Sequence, residues 1–230
     1  MILSAHQPAY LPWLGLFHKI ALADRFLILD DVAMSGKDSE EWSNRNRIKT
    51  YNGPQILTVP VHRGQNVLHK DVTIANEQAG WQRKHWSAIE PAYRKTPWFG
   101  TYGPGLSYFY SVPYEHLTDL NADMLEFFLN ALHIGTKIER ASGYEASGAG
   151  SGRLLALCNA VGADTFIFGS NGSSYADVDA FRMAQVSVTF QHYRHPVYRQ
   201  QHGSFLPYMS IIDLLFNEGP RSKDILMGTM

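Results

Sequence analysis

A strand, a turn and a helix that returns to a second strand open the chain, and this unit constrains the fold more than any other feature. Ile2-Leu3-Ser4-Ala5 is a short apolar run, and the following His6-Gln7-Pro8-Ala9-Tyr10-Leu11-Pro12 holds two prolines that forbid a continued helix or a central strand. From Trp13 to Ala23, Leu14, Phe17 and Ala21 recur at helical spacing together with Leu16 and Ile20. Phe26-Leu27-Ile28-Leu29 is then a continuous apolar run ending at Asp30-Asp31. A right-handed β-α-β crossover of this kind builds a buried parallel sheet, and such sheets bind ligands beyond the carboxyl ends of their strands. Here those ends carry His6-Gln7 and Asp30-Asp31.

The pattern returns in the second half. Gly152 to Ala160 reads as a helix, Asp164 to Phe168 as a strand, Gly169-Ser170-Asn171-Gly172-Ser173-Ser174-Tyr175 as a loop, Asp177 to Ala184 as a short helix and Val186 to Phe190 as a strand. Between the two halves, Trp81 to Tyr93 and Leu117 to Leu132 are helical, the second with Leu120, Met124, Phe127, Phe128 and Leu132 on one face. Ser142 to Gly152, rich in glycine, reads as a mobile loop or lid. Met209 to Phe216 is an apolar helix stopped by Asn217-Glu218-Gly219-Pro220. The expected fold is therefore a three-layer α/β domain over residues 1–230, with a mostly parallel sheet, a Rossmann-like core and a helical insertion at about 81–132.

Composition narrows the function classes. Twenty Lys plus Arg against 21 Asp plus Glu give a net charge of -1, so no global field draws the chain to genomic nucleic acid or an anionic membrane. The lone Cys158 excludes internal disulfides and multi-cysteine zinc sites; with Leu154, Leu155 and Leu157 beside it, it reads as a packing thiol. The first residues lack a secretion signal and no apolar run reaches the roughly 18 residues of a membrane span, so a cytoplasmic protein without membrane insertion is expected.

Several segments could carry chemistry. His6 is the leading acid/base candidate, oriented by Asp30 or Asp31 if the first two strands are neighbours; its other use is that of a turn histidine. The acidic pair is open to two further uses, holding a divalent cation beside a phosphate or capping a turn. Residues 42 to 70 contain Arg45, Arg47, Lys49, Arg63 and Lys70 without any acid, and Trp42-Ser43-Asn44-Arg45-Asn46-Arg47 suits an anionic group; a solvated basic strand or loop is the alternative. Residues 191 to 202, with His192, His195, Tyr198 and His202, suggest a polar site, and their spacing across Pro196 does not favour zinc. No metal is expected. Ser170 and Asn171 sit in a turn that only loosely resembles a phosphate cradle. Tyr10, Trp13, Trp42 and Tyr198 are among the aromatic residues beside these polar motifs, which suggests a small-molecule cleft with aromatic walls and a local anion site. Covalent serine or cysteine hydrolysis is not supported, since no GxSxG elbow is present and the lone Cys158 has no partner evident in the sequence; the metalloprotease motif HExxH is absent as well.

From His6-Gln7-Pro8-Ala9-Tyr10-Leu11-Pro12-Trp13-Leu14-Gly15-Leu16-Phe17-His18-Lys19-Ile20 onward the sequence resembles the WbqC-like protein family of bacteria. The likeness continues through Asp24-Arg25-Phe26, Leu29-Asp30-Asp31-Val32, Trp42 to Lys49, Leu57-Thr58-Val59-Pro60-Val61, Lys84-His85-Trp86, His195-Pro196-Val197-Tyr198 and Phe205 to Asn217. The chain departs from the pattern at Val32-Ala33-Met34, where the family usually carries a Gln-aromatic pair, and at the inserted-looking Ser35 to Glu41. The first motif also looks distantly like that of nucleotidylyltransferases, with Trp13 and Leu16 where that motif's two histidines stand.

The resemblance implies a place in O-antigen, amino-sugar or specialised-metabolite biosynthesis. Together with the residues above it leads to an expected transferase that joins an activated acyl or aminoacyl group to the amine of an amino sugar or similar small-molecule acceptor. His6, Asp30 and Asp31 would act at the reacting centre. Gln7, Tyr10, Trp13, Asn44, Arg45, Asn46, Arg47, Ser170, Asn171, His195 and Tyr198 would bind substrate. The donor would be a nucleotide-linked group or a carrier-bound thioester, with an acyl or aminoacyl carrier, protein or tRNA, as partner. A binding or scaffold protein with a nucleotide-type pocket and an ATP-dependent nucleotidyl transferase are the alternatives.

Overall fold

In the computed structural model, which describes residues 1–34, 42–62, 64, 66–78 and 80–229, the opening unit forms as its periodicity predicts. Strand β1 (Ile2–His6) leads into helix α1 (Leu14–Ala21), which returns to β2 (Arg25–Ile28). The two strands pair in parallel, with Leu3 opposite Arg25 and His6 opposite Ile28. Ser35 to Glu41 and Arg63 lie outside the described residues.

A long excursion follows before the sheet resumes. It holds an antiparallel hairpin, β3 (Arg45–Thr50) and β4 (Gly53–Thr58), and the helices α2 (Trp81–Tyr93), α3 (Phe99–Tyr108) and α4 (Leu117–Ala131). The chain then runs through β5 (Lys137–Arg140), α5 (Gly150–Val161), β6 (Thr165–Phe168), α6 (Val178–Met183) and β7 (Ser187–Phe190) to α7 (Ile211–Glu218) and α8 (Ser222–Met227). The sheet order is β5-β2-β1-β6-β7, every pairing parallel.

Alternation along the strands sorts the core into two faces. Phe26 and Ile28 pack with Phe17, Ile20 and Phe128 on one side, while Leu27 joins Leu3, Ala5, Leu157, Phe166 and Phe181 on the other. Helices on both faces of a parallel sheet make a three-layer α/β fold. Cys158 is fully buried in the second face, and burial pushes its thiol up to about 12, as suits a packing residue. No helix among the described residues is long and apolar enough to cross a membrane.

Two elements escape local reading. Helix α3 contains Gly100, Gly103, Pro104 and Gly105, a poor helical composition. It forms because Phe99 stacks on Trp86 at 5.9 Å and meets Phe216 at 5.2 Å, and because α4 comes so close at Gly105 that a Cβ there would lie 2.6 Å from the Phe127 ring. The stretch read as an anion-binding segment or a solvated basic strand or loop forms the β3–β4 hairpin, and its amides brace the turn after β1. Asn46 Nδ2 donates to the carbonyls of Leu11 at 2.7 Å and Tyr10 at 3.3 Å, and the Tyr10 N–H donates to Trp42 O at 3.1 Å. These bonds hold Leu11 at φ 43°, a left-handed conformation that costs a leucine on the order of 1–2 kcal/mol.

Buried hydrogen bonds also tie this turn to the helical insertion. His85 Nε2 faces the Thr58 carbonyl at 3.2 Å and so carries the proton, leaving Nδ1 to accept from Tyr10 OH at 2.8 Å; Tyr10 OH in turn accepts from Tyr110 OH at 2.7 Å. Burial pushes the His85 imidazole down to about 4, only partly opposed by the bond to Thr58. The folded pKa lies below the unfolded value of about 6.5. Acidification from about pH 6.5 to about 4 therefore protonates the unfolded chain first and lowers stability, by about 3 kcal/mol in total. Urea unfolding of His85→Gln should show a flatter acid limb than wild type; parallel profiles would exclude His85 as the titrating group.

Candidate functional site

Strand β1 lies between β2 and β6, so the chain leaves it in one direction over one face and crosses to β6 and β7 over the other. The turns after β1 and β6 diverge at this reversal of strand order, the place where open α/β sheets bind ligands. A cleft of about 520 Å³ opens there. His6 and Gln7 come from the end of β1, Trp13, Gly15, Leu16 and Lys19 from the turn and helix α1, and Leu29 and Val32 from beyond β2. Gly150, Arg153 and Leu154 of α5, Phe168 to Gly172 and Tyr175 after β6, and Gln191 after β7 complete the wall.

The turn after β6 follows from one glycine. A Cβ on Gly172 would stand 2.4 Å from the Phe168 Cβ, so only glycine lets the chain fold back over the strand end and present Ser170 and Asn171 to the cleft. Gln191 Nε2 donates to Gly15 O at 2.8 Å and to His18 Nδ1 at 2.9 Å, fastening the end of β7 to the first turns of α1.

His6 Nδ1 lies 2.8 Å from the Gln7 carbonyl, which can only accept, so in the neutral ring the proton is on Nδ1 and the basic lone pair on Nε2. The Trp13 ring stands edge-on to His6, 5.4 Å away at 74°. The carboxylates expected to orient His6 are engaged elsewhere. Asp30 is buried and accepts from the backbone N–H and the hydroxyl of Ser142 at 2.9 and 2.7 Å, which ties down the start of the glycine-rich 142–152 stretch. Asp31 Oδ2 pairs with Arg153 Nη2, bridging β2 to α5 at the cleft wall.

The sequence-derived candidates thus separate into groups. His6, Gln7, Trp13, Ser170 and Asn171 share the cleft. A smaller pocket of about 190 Å³ lies beside it, lined by His6, Gln7, Pro8, Ala9, Trp13, Trp42 and Ser43. Arg45 and Arg47 place their guanidinium carbons 5.6 and 4.9 Å from the Trp42 ring centre, a cation–π arrangement next to that pocket's wall. Tyr10, Asn44 and Asn46 are buried in hydrogen bonds within the scaffold and line neither cavity. His195 and Tyr198 also stand away from both. His195 Nδ1 donates to Pro196 O while Nε2 accepts from the Tyr208 N–H, and Tyr198 OH donates to the buried Asp213 at 2.8 Å.

Residues 7–225 match the WbqC-like protein family. The chain belongs to that family. It is also similar, at 34% identity over 96% of this chain and 95% of the relative, to the uncharacterized protein Rv1507c of Mycobacterium tuberculosis. No solved structure matches it.

In this WbqC-like protein the cleft residue that sequence reasoning passed over is Lys19. Its side chain is only 5% exposed, Nζ donates to Ala5 O at 2.8 Å, and burial pushes the ammonium down to about 8. One signal was available. Lys19 falls four and three positions after Gly15 and Leu16, on a face that is otherwise apolar, where a solvated lysine has no place. Arg153 was hidden in the presumed loop-to-helix boundary and came to light only through its pairing with Asp31.

Proposed function

We propose that the protein is a biosynthetic transferase that joins an activated acyl or aminoacyl group to the amine of an amino sugar or a similar small acceptor. One observation carries this reading: His6, Gln7 and Trp13 line both the larger cleft and the smaller pocket, so one imidazole stands between two compartments of unequal size. The larger takes the activated donor, nucleotide-linked or presented as a carrier thioester, and the smaller takes the acceptor against Trp42, whose ring face suits a sugar. The acceptor nitrogen attacks the donor's carbonyl carbon, forming the amide bond as the bond to the phosphate or thiolate leaving group breaks. His6 Nε2 takes the proton that the nitrogen loses. Family membership supports roles in O-antigen or specialised-metabolite biosynthesis in the cytoplasm.

The test incubates the purified chain with acyl thioesters or aminoacyl adenylates and glucosamine or related amino sugars, and follows amide products by mass spectrometry. Wild type should form an amide, and His6→Gln should slow it by about 10²- to 10⁴-fold at an unchanged melting temperature. A folded His6→Gln variant with wild-type turnover would overturn the role of His6. Pyrophosphate release from a nucleoside triphosphate without amide formation would assign nucleotidyl transfer instead.

A further inference from the structure

We infer that Lys19 is the cationic anchor of a phosphate-binding site at the inner end of the cleft, so that the donor is a phosphate-bearing molecule of the nucleoside diphosphate class. This rests on the transferase reading and names the chemistry of its donor. Lys19 is buried yet lines a 520 Å³ cavity, and its one described hydrogen bond goes to a neutral carbonyl, that of Ala5. Among the described residues, no Asp or Glu lines the cleft. The acids at the end of β2 are committed, Asp30 to Ser142 and Asp31 to Arg153. A buried ammonium without a carboxylate partner is costly, and such a charge is retained where a ligand supplies the missing anion.

The surroundings fit that ligand. Gly15 and Leu16 bring the first turn of α1 to the cavity, and no side chain caps that helix. Gly150 brings the equally uncapped start of α5. Backbone N–H groups at helix starts favour phosphate oxygens. Arg153 adds a second cation, and its Nε is buried without a hydrogen-bond partner. The anion site expected at Arg45 and Arg47 thereby moves to the sheet end, while those two arginines remain beside Trp42 at the acceptor side.

Protonation of Lys19 ties this site to pH. Among the described residues, the titratable groups around the cavity are His6 of β1, Arg153 of α5, Tyr175 after β6 and, on α1 itself, His18, which faces Gln191. Burial lowers the His18 imidazole, and Lys19, held at about 8, is a cation of this cavity that is lost as the pH rises above neutral.

Calorimetric titration of the full chain with inorganic pyrophosphate and with ADP tests the inference without requiring turnover. At pH 7, wild type should bind both, and Lys19→Met should bind at least tenfold more weakly while melting no lower than wild type, since methionine removes a buried charge and keeps the length. Lys19→Arg should retain part of the affinity. For ADP, wild-type affinity should fall at least tenfold between pH 7.5 and 9.5. Undiminished binding by Lys19→Met, wild-type affinity unchanged over that pH range, or no binding of either probe by wild type would each overturn it. Should Lys19→Met not fold, the pH series and Lys19→Arg decide. Binding that survives while His6→Gln turns over normally would sink the transferase mechanism and leave the phosphate site standing.

Discussion

Replacing Asp213 with alanine should lower the unfolding free energy by about 3–5 kcal/mol. Asp213 lies in α7 with no solvent exposure and receives two phenols, Tyr93 OH at 3.1 Å and Tyr198 OH at 2.8 Å. Burial raises its carboxyl above the usual range, and the bonds from Tyr198 and Tyr93 oppose that rise. The network extends outward. Tyr93 OH accepts the Lys49 backbone N–H at 2.9 Å, and Lys49 Nζ donates to Ser204 O at 2.6 Å and to Gln200 Oε1 at 3.0 Å. Gln200 Nε2 reaches Leu206 O at 2.9 Å. One carboxylate therefore locks α2, α7, β3 and the segment around residues 198–206 together. Alanine leaves two buried hydroxyls without acceptors, each costing about 1–3 kcal/mol. Asparagine keeps the volume and one acceptor and should lose about half as much. Urea midpoints at constant m-value measure both; a loss under 1 kcal/mol for the alanine variant would show that the phenols find other acceptors.

The second large effect concerns Lys19 and runs in the opposite direction. Its ammonium is pushed down to about 8, below the unfolded lysine value of about 10.4. Between these values the unfolded chain holds a proton that the folded chain has released, so stability rises with pH across the window. The full rise amounts to about 3 kcal/mol, and the penalty is fully present below about pH 8. Lys19→Met lacks the titrating group, so its stability should not rise with the wild type between pH 8 and 10. Denaturant midpoints at pH 7.5, 9 and 10.5 give the comparison, and parallel curves for the two proteins would mean that Lys19 titrates as an exposed lysine. A residue that weakens the apo fold yet faces a ligand cavity reflects the conflict between function and stability found at binding sites.

Much of the scaffold was legible because it is written in local periodicity. The 3.6-residue spacing of Leu14, Phe17 and Ala21 and the continuous run from Phe26 to Leu29 mark α1 and β2 with no knowledge of their neighbours. The β6 turn was legible as a loop, but Gly172 acquires its purpose only from the Phe168 Cβ beneath it. The asparagines of the basic stretch misled for a definite reason. An amide that binds a sugar and an amide that caps a distant carbonyl have the same composition, and Asn46 spends its donors on Tyr10 and Leu11, which lie 36 and 35 residues away. Tyr10 likewise resembles a ring placed for stacking until His85 and Tyr110 enclose it.

By itself the sequence determined that parallel strands would end at His6-Gln7 and shortly before Asp30-Asp31, because side-chain period and proline placement act within a few residues. Tertiary structure alone decided that β6, arriving more than 150 residues later, would lie against β1 and open a cleft between them. It also decided that Lys19 would face that cleft from inside the fold while Asp31 held Arg153 instead of His6. Strand order is set by burial across both faces of the sheet, a sum over residues remote in the chain, so no single segment carries it.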